Sequence, residues 1–381
     1  AVVVGGVGTG LYFANKNTSG KTISEKTSQK LDYINKLIDA KFLNKVNESD
    51  LEDGIYKGLL EGLNDPYSVY YTAEEYRKMM EQTSGTYSGI GALVSQNAET
   101  GIITVVKAFA DAPAAKAGVK KGDIIYKVKG KEVTGVDINN VVTEMKGEKG
   151  TTVDITVYRE SEKKYIDFTI TRDQVNEPTV EYKMLDKKKK IGYIQISQFE
   201  EVTYDQFTKA LDDLKKQGMK AVIFDVRSNP GGLYETVCKM LDEILPEGNL
   251  VSTKDKYGNE EKQTSDSKCL DMPMVVLQNK DSASASEIFA GAVKDYGLGT
   301  IVGTTTYGKG VVQSIRQLSD GSAVKLTIAN YYTPKGNSIN KTGIRPDVEV
   351  ELSPELLNQE EITHEEDNQL QAALNSLNAK N

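Results

Sequence analysis

Two runs, IGYIQI at residues 191–196 and AVIF at residues 221–224, decide the fold of this 381-residue chain. The second run is apolar throughout, which is typical of a strand buried on both faces of a parallel sheet. A stretch with helical spacing of its apolar residues follows each run, and the alternation then continues. The predicted helices span residues 204–217, 233–244 and 286–296, and a third strand spans residues 274–277. We therefore predict an α/β core with a mostly parallel sheet.

Two regions of different periodicity precede this core. Residues 23–80 carry apolar side chains at helical spacing, which predicts helices. These helices are too small to form a deep core of their own. They are therefore expected to pack on another domain or on a second subunit. Residues 87–172 show period-two strands separated by glycine turns, with two short helices, as expected for one small domain. A hairpin is predicted at residues 310–332, and the tail from Ile362 is polar and weakly helical.

The composition argues against several classes of function. The chain has one histidine, His364, and two cysteines, Cys238 and Cys269, without metal-binding spacing, so no metal site and no cofactor are predicted. A histidine-based triad would depend on His364 alone, and the simpler interpretation is a solvated histidine in the tail. The two cysteines could be paired or free. A net charge of −8 argues against a general nucleic-acid binder.

The first residues form an apolar run from Ala1 to Ala14, followed by a polar stretch to Lys21. A run of this length is too short to span a bilayer. It resembles the second half of a signal peptide or an N-terminal membrane anchor, which would place the rest of the chain outside the cytoplasm, tethered or secreted. The alternative is a buried N-terminal strand.

Two turns that follow predicted strands are candidates for chemistry, because reactive groups gather at the carboxyl ends of strands in open α/β sheets. The first, DVRSNPGG at residues 225–232, has glycines that allow backbone N–H groups to face an anion. An ordinary βα turn explains these residues equally well. The second, NKDSASASE at residues 279–287, has three serines separated only by alanines, which is more than helix capping requires. A serine here would have oxyanion-stabilising amides nearby.

A serine nucleophile needs a base, and without a usable histidine a neutral lysine can serve. Lys309 lies between glycines in an apolar, β-type segment, where burial would favour the neutral amine, and Gln313 could hold that amine by a hydrogen bond. The segment also nearly matches a phosphate-binding loop through Gly303, Gly308 and Lys309. However, Gly310 stands where that motif needs Ser or Thr, and a β-type run follows in place of a helix, which makes a nucleotide site the weaker interpretation.

The chain closely resembles the carboxyl-terminal processing (tail-specific) proteases over nearly its whole length from about residue 25. The resemblance is carried, in this order and spacing, by LNDPYSVYY, SGIGALV, AGVKKGDII, DVRSNPGGL, DSASASEIFAGA, YGKGVVQ and GIRPDVEVEL. In that family a PDZ domain precedes a Ser-Lys protease core with a crotonase-like sheet. The resemblance implies Ser284 as the nucleophile, Lys309 as the general base and Gln313 as the residue that orients it. It also implies an oxyanion hole made from the amides of Ala285 and of Gly231 or Gly232.

The resemblance gives the small domain a role as well. SGIGA at residues 88–92 resembles the PDZ loop whose amides hold the carboxylate of a C-terminal peptide, which adds to the sheet as a strand. An ordinary glycine turn is the simpler interpretation of SGIGA alone, but AGVKKGDII at residues 117–125 matches the PDZ pattern independently. The implied peptide-binding residues, opposite a helix at residues 139–145, are Gly89, Ile90, Gly91, Ala92, Leu93 and Val94.

The sequence therefore predicts a serine endopeptidase that recognises free C-termini of proteins or peptides through a PDZ domain and cleaves through an acyl-enzyme. The rival is a catalytically inactive PDZ scaffold that only binds peptides. The helical region is expected to mediate a homodimer. The predicted division is an anchor remnant and linker at residues 1–22, helices at 23–85, a PDZ domain at 86–174, a protease core at 175–355 and a tail at 356–381.

Overall fold

The computed structural model describes residues 2–4, 23–357, 359 and 362–378. The chain divides into two compact units, a smaller one that contains residues 23–76 and 314–327, and a larger one that contains residues 77–313 and 328–378. Strand β1 spans Val2–Val4, and most of the predicted anchor lies outside the described residues. In the described part of the chain, no helix is both long and apolar enough to cross a bilayer.

The smaller unit is helical, as the spacing predicts. Helices α1 (Glu25–Lys41) and α2 (Glu48–Glu61) begin after Ser24 and Asn47, whose side chains accept hydrogen bonds from the first turn. Helix α1 buries none of its side chains and α2 buries only Leu60, so both helices leave apolar residues exposed. Strand β2 (Val69–Tyr71) and helix α3 (Ala73–Ser84) follow along the chain.

The next region of the chain is a small antiparallel domain with its own core. Its main sheet has the order β4-β5-β6-β8-β9, so that β4 is an edge strand, while β3 pairs with β10. Inward-facing residues such as Ile103, Ile125 and Val157 form the core, and the buried guanidinium of Arg159 pairs with Asp123 at 2.7 Å. The elements are β3 (Thr86–Gly89), β4 (Ala92–Gln96), β5 (Ile103–Ala108), α4 (Pro113–Ala117), β6 (Ile124–Val128), β7 (Lys131–Glu132), α5 (Ile138–Met145), β8 (Thr152–Arg159), β9 (Lys164–Thr171) and β10 (Asp173–Asn176).

The remainder of the larger unit is the predicted α/β core. Its central sheet has the order β11-β12-β13-β16-β17-β20, parallel except for β11 at one edge, and in a second sheet β14 pairs with β15 and with residues 329–332 of β19. The hairpin β14–β15 was not expected, because its second strand is polar and almost fully exposed. The elements are β11 (Val180–Asp186), β12 (Ile191–Ile196), α6 (Thr203–Lys216), β13 (Ala221–Asp225), α7 (Tyr234–Asp242), β14 (Gly248–Asp255), β15 (Glu260–Ser265), β16 (Met274–Gln278), α8 (Ala285–Tyr296), β17 (Gly299–Gly303), β18 (Val311–Gln317), β19 (Ala323–Tyr332), β20 (Val348–Glu349) and α9 (Asn368–Asn378).

Both faces of the central sheet are covered, which explains the continuous apolar run in β13. Phe224 faces α6, α7 and α8, where it packs against Phe207 and Phe289. Ile223 faces the opposite side, where Leu370 and Leu377 of α9 are fully buried. The expected helical character of the tail is confirmed for residues 368–378, but their burial against the sheet was not expected from a polar composition. Their few apolar residues recur at helical spacing and cover the second face of the sheet.

One half-buried arginine attaches the segment before α9 to the sheet. Arg227, in the turn after β13, donates hydrogen bonds to Asp225 and to Asp367, with Nη2 distances of 2.6 and 2.8 Å. Burial opposes ionisation of Asp367, but the hydrogen bonds and the charge of Arg227, together with the backbone amides of Leu370 and Gln369, outweigh it and keep the pKa of this carboxyl below its usual range. Arg227 therefore connects the end of a central strand to the C-terminal helix.

The structure shows the surroundings of the single histidine and of the two cysteines. His364 is half-buried and packs on Tyr193 with ring centroids 5.2 Å apart, so it is not the solvated residue expected from the tail's composition. Burial lowers the pKa of the His364 imidazole. Cys238 is buried, Cys269 is exposed, and the two thiols are unpaired.

We expect Arg227→Ala to lower the free energy of unfolding of the core by about 3–5 kcal/mol, because it leaves the buried carboxylates of Asp225 and Asp367 without their cationic partner. Urea unfolding followed by far-UV circular dichroism measures this effect in a chain without tryptophan. Arg77→Ala is the matched control, since Arg77 is exposed and its nearest carboxylate contact, to Glu81, is 3.9 Å long. Equal stability of the two variants would contradict the role assigned to Arg227.

Candidate active site

The predicted catalytic residues lie on loops that follow neighbouring strands. β13, β16 and β17 are adjacent in the central sheet, so the turn at residues 225–232, the start of α8 and the segment at residues 304–310 meet at one edge. Ser284 stands immediately before α8, is 2% exposed, and has φ 59° and ψ −113°. A serine in this region of backbone space is strained, at a cost of about 1–3 kcal/mol, so its surroundings must hold it there.

The carboxylate of Glu287 connects the predicted nucleophile to the predicted base. Its Oε2 accepts hydrogen bonds from the backbone amides of Ser284 and Lys309, each at 2.8 Å. Its Oε1 accepts from the Gly308 amide at 2.7 Å and from the Thr306 hydroxyl at 2.6 Å. Glu287 is fully buried, and these charge-assisted bonds compensate for its desolvation. The two segments are thus held together at a single side chain.

A tyrosine from β19 holds the same two residues through their carbonyl groups. The hydroxyl of Tyr331, whose side chain is fully buried, contacts the carbonyl oxygen of Ser284 at 3.0 Å and the carbonyl oxygen of Lys309. Gln313 lies on β18, four residues after Lys309, and is 1% exposed. The segments of Ser284 and Lys309 are therefore brought together, and Lys309 is half-buried.

Sequence reasoning did not identify Glu287 or Tyr331. Glu287 had a detectable signal, because a glutamate three residues after a helix-capping serine is the pattern of a capping box. Tyr331 had none, since it is far along the chain from both residues it contacts and only strand pairing places it between them.

The turn at residues 225–232 lies directly against the start of α8. A Cβ atom on Gly231 would come within 2.8 Å of Ser284 Cβ and 3.0 Å of the Ala285 nitrogen, so glycine keeps the space in front of that amide open. The Gly231 amide itself donates to Asn229 Oδ1 at 2.8 Å. Among the described residues, neither the Gly232 amide nor the Ala285 amide has an acceptor. The geometry thus favours Gly232 over Gly231 as the second oxyanion donor.

The predicted peptide-binding loop is held by backbone contacts from the rest of its domain. The carbonyl of Ile90 accepts from the Ala114 amide at 2.7 Å, and the carbonyl of Gly91 accepts from the Phe109 amide at 3.0 Å. Gly91 has φ 75°, which favours glycine. Beyond the loop, β4 is the edge strand of its sheet in the described part of the chain, and Leu93 on this strand is 49% exposed.

Three parts of the sequence match known protein families, and nearly the whole chain is similar to known proteases. Residues 190–350 match the model of peptidase family S41, residues 88–170 the PDZ domain, and residues 11–75 the activating protease CtpB N-terminal domain. A carboxy-terminal processing protease CtpA of Bacillus subtilis is 37% identical over 343 residues, which are 89% of this chain and 72% of that protein. The chain belongs to peptidase family S41.

Other relatives of this S41 chain agree in sequence and in fold. A CtpA-like serine protease of Staphylococcus epidermidis is 37% identical over 84% of this chain and 65% of that protein, so the chain spans about two thirds of that relative's length. The structure of a photosystem II D1 C-terminal processing protease matches with 28% identity and a TM-score of 0.50, covering 86% of this chain and 87% of that one. The recognised family and the α/β fold with a PDZ domain are confirmed.

Glu287→Gln tests the contact between the two catalytic segments. The variant keeps the shape of the side chain but turns an NH2 group towards backbone donors, so we expect kcat to fall about 10- to 100-fold with KM nearly unchanged. Steady-state cleavage of an unstructured peptide measures both constants. Glu235→Gln is the matched control, because Glu235 also lies in a first helical turn but is exposed. A change in KM alone would argue against positioning by Glu287.

Proposed function

We propose that this chain is a serine endopeptidase in which Ser284 is the nucleophile, Lys309 the general base and Gln313 the residue that orients the lysine amine. The observation that carries the proposal is the shared contact of Ser284 and Lys309 with one buried carboxylate, Glu287, at 2.8 Å to each amide. Membership of peptidase family S41 supports the same chemistry.

The mechanism follows from the roles of these groups. The neutral amine of Lys309 removes the proton of the Ser284 hydroxyl, and the alkoxide attacks the carbonyl carbon of the scissile peptide bond. The amides of Ala285 and Gly232 stabilise the tetrahedral oxyanion. The lysinium then gives its proton to the leaving amine. A water molecule activated by Lys309 hydrolyses the acyl-enzyme ester, which releases the second product and restores the Ser284 hydroxyl.

The PDZ domain is proposed to select substrates by their free C-termini. Successive amides at Gly89, Ile90, Gly91 and Ala92 would receive the carboxylate, and the peptide would add to β4, with Leu93 and Val94 at the groove. The exposed apolar residues of α1 and α2 are suited to a homodimer contact. The proposed domain boundaries lie between residues 85 and 86 and between residues 174 and 175. The proposed location is extracytoplasmic, with an N-terminal tether to the membrane.

We expect Ser284→Ala and Lys309→Met each to reduce peptide cleavage by at least about a thousandfold, because each removes a group that takes part in bond making. Cleavage of a fluorogenic unstructured peptide measures the rates. Ser267→Ala is the matched control and should keep the activity, since Ser267 is exposed and lies outside both turns. Full activity of Ser284→Ala would contradict the assignment of Ser284 as the nucleophile, and an inactive wild-type chain would favour the peptide-binding scaffold.

Binding of C-terminal peptides to Ser284→Ala tests the PDZ assignment without cleavage. A peptide with a free C-terminus should bind about 10-fold or more tightly than its amidated form, because charge-assisted hydrogen bonds to the carboxylate are lost on amidation. Fluorescence anisotropy measures both affinities. Equal affinities would contradict carboxylate recognition, whatever the outcome for catalysis.

A further inference from the structure

A cavity of about 390 Å³ lies beside the proposed oxyanion turn and is not used by the mechanism above. Its volume falls at the lower end of the range for ligand sites, ~300–1,000 Å³. The cavity is formed by the end of α3, the segment that follows β12 and the glycine turn before α7. Its lining residues are Met79, Gln82, Thr83, Glu177, Gln198, Phe199, Glu200, Gly231, Gly232 and Leu233.

The wall of this cavity holds a carboxyl group without a partner. Glu200 is 6% exposed, and its Oε2 atom is buried with no hydrogen-bond partner among the described residues. Burial, with a further contribution from the charge of Glu177, raises the pKa of Glu200 to about 7. Glu177 and Glu200 are the only charged groups among the described residues that line the cavity, and the lining residues from α3 and from the glycine turn are uncharged.

The position of this carboxyl relative to the oxyanion turn is fixed by the backbone. The Phe199 amide donates to the Gly231 carbonyl at 3.0 Å, and the Leu233 amide donates to the Phe199 carbonyl at 2.6 Å. The next residue, Glu200, accepts a hydrogen bond at its carbonyl from the Thr236 hydroxyl at 3.1 Å. A peptide whose carbonyl is held at Gly232 would therefore pass the mouth of the cavity.

We propose that this cavity is an acidic subsite that receives a lysine or arginine side chain of the peptide substrate next to the scissile bond, with the Glu200 carboxylate as its partner. The proposal rests on the proposed function, because the peptide is placed by the oxyanion turn. A buried carboxylate without a donor is costly, and a cationic side chain supplies both the charge and the hydrogen bonds that it lacks. A neutral side chain of equal length fills the space but leaves the carboxylate unpaired.

Binding to Ser284→Ala tests the subsite independently of catalysis. We compare pairs of unstructured peptides in which lysine or norleucine occupies each position on either side of the expected cleavage site. At one position lysine should bind about 10- to 100-fold more tightly than norleucine, and Glu200→Gln in the same background should remove this preference. Because the cation pairs with the ionised carboxylate, the preference should weaken as the pH falls from 8 to 6 through the pKa of about 7.

Glu201→Gln is the matched control, because Glu201 is the exposed neighbour of Glu200 and should leave the lysine preference unchanged. If Ser284→Ala shows the lysine preference but the wild-type chain cleaves no peptide, the protease function would be overturned and the subsite supported. Cleavage by the wild type with no lysine preference at any position would overturn the subsite alone. A third outcome is that calcium or magnesium ions stabilise the chain against unfolding, that Glu200→Gln removes this stabilisation, and that no lysine preference is found. This result would assign the cavity to an inorganic cation and would also overturn the subsite.

Discussion

The site depends on one buried carboxylate. Glu287 lies in the first turn of α8, where the helix dipole favours a negative charge, and every hydrogen bond it accepts comes from the two segments that carry Ser284 and Lys309. Such a group is costly to bury alone, so its donors must stay in place for the core to be stable. The geometry of the proposed dyad is therefore coupled to the stability of the core itself.

The strain at Ser284 is understandable in the same terms. Its backbone lies in a region that a non-glycine residue rarely occupies, and Glu287 and Tyr331 hold its amide and its carbonyl from opposite sides. Within the described ranges the Ala285 amide has no acceptor, and it lies next to the space that Gly231 keeps open. Backbone strain, an open glycine and an unused amide thus occur together at the point where a substrate carbonyl would be polarised.

Much of the fold could be predicted from local patterns. The apolar run at residues 221–224 and the helical spacing around it predicted the parallel sheet, because a strand buried on both faces has no polar alternation. The helix predicted at residues 286–296 is α8, which begins one residue earlier, at Ala285. The burial of α9 was not predicted, because its apolar residues alternate with polar ones and carry a weak signal, and only packing on the second face of the sheet explains it.

The sequence by itself determined the order of the domains, the family, and the serine and lysine on which the proposed chemistry depends, since these follow from residue types at short spacings. Only the tertiary structure decided how those residues are held. Glu287 and Tyr331 meet Ser284 and Lys309 through strand order and helix placement, and Glu200 lies beside the turn at residues 225–232 through a contact between Phe199 and Gly232. Such contacts join residues far apart in the chain, so no local pattern records them.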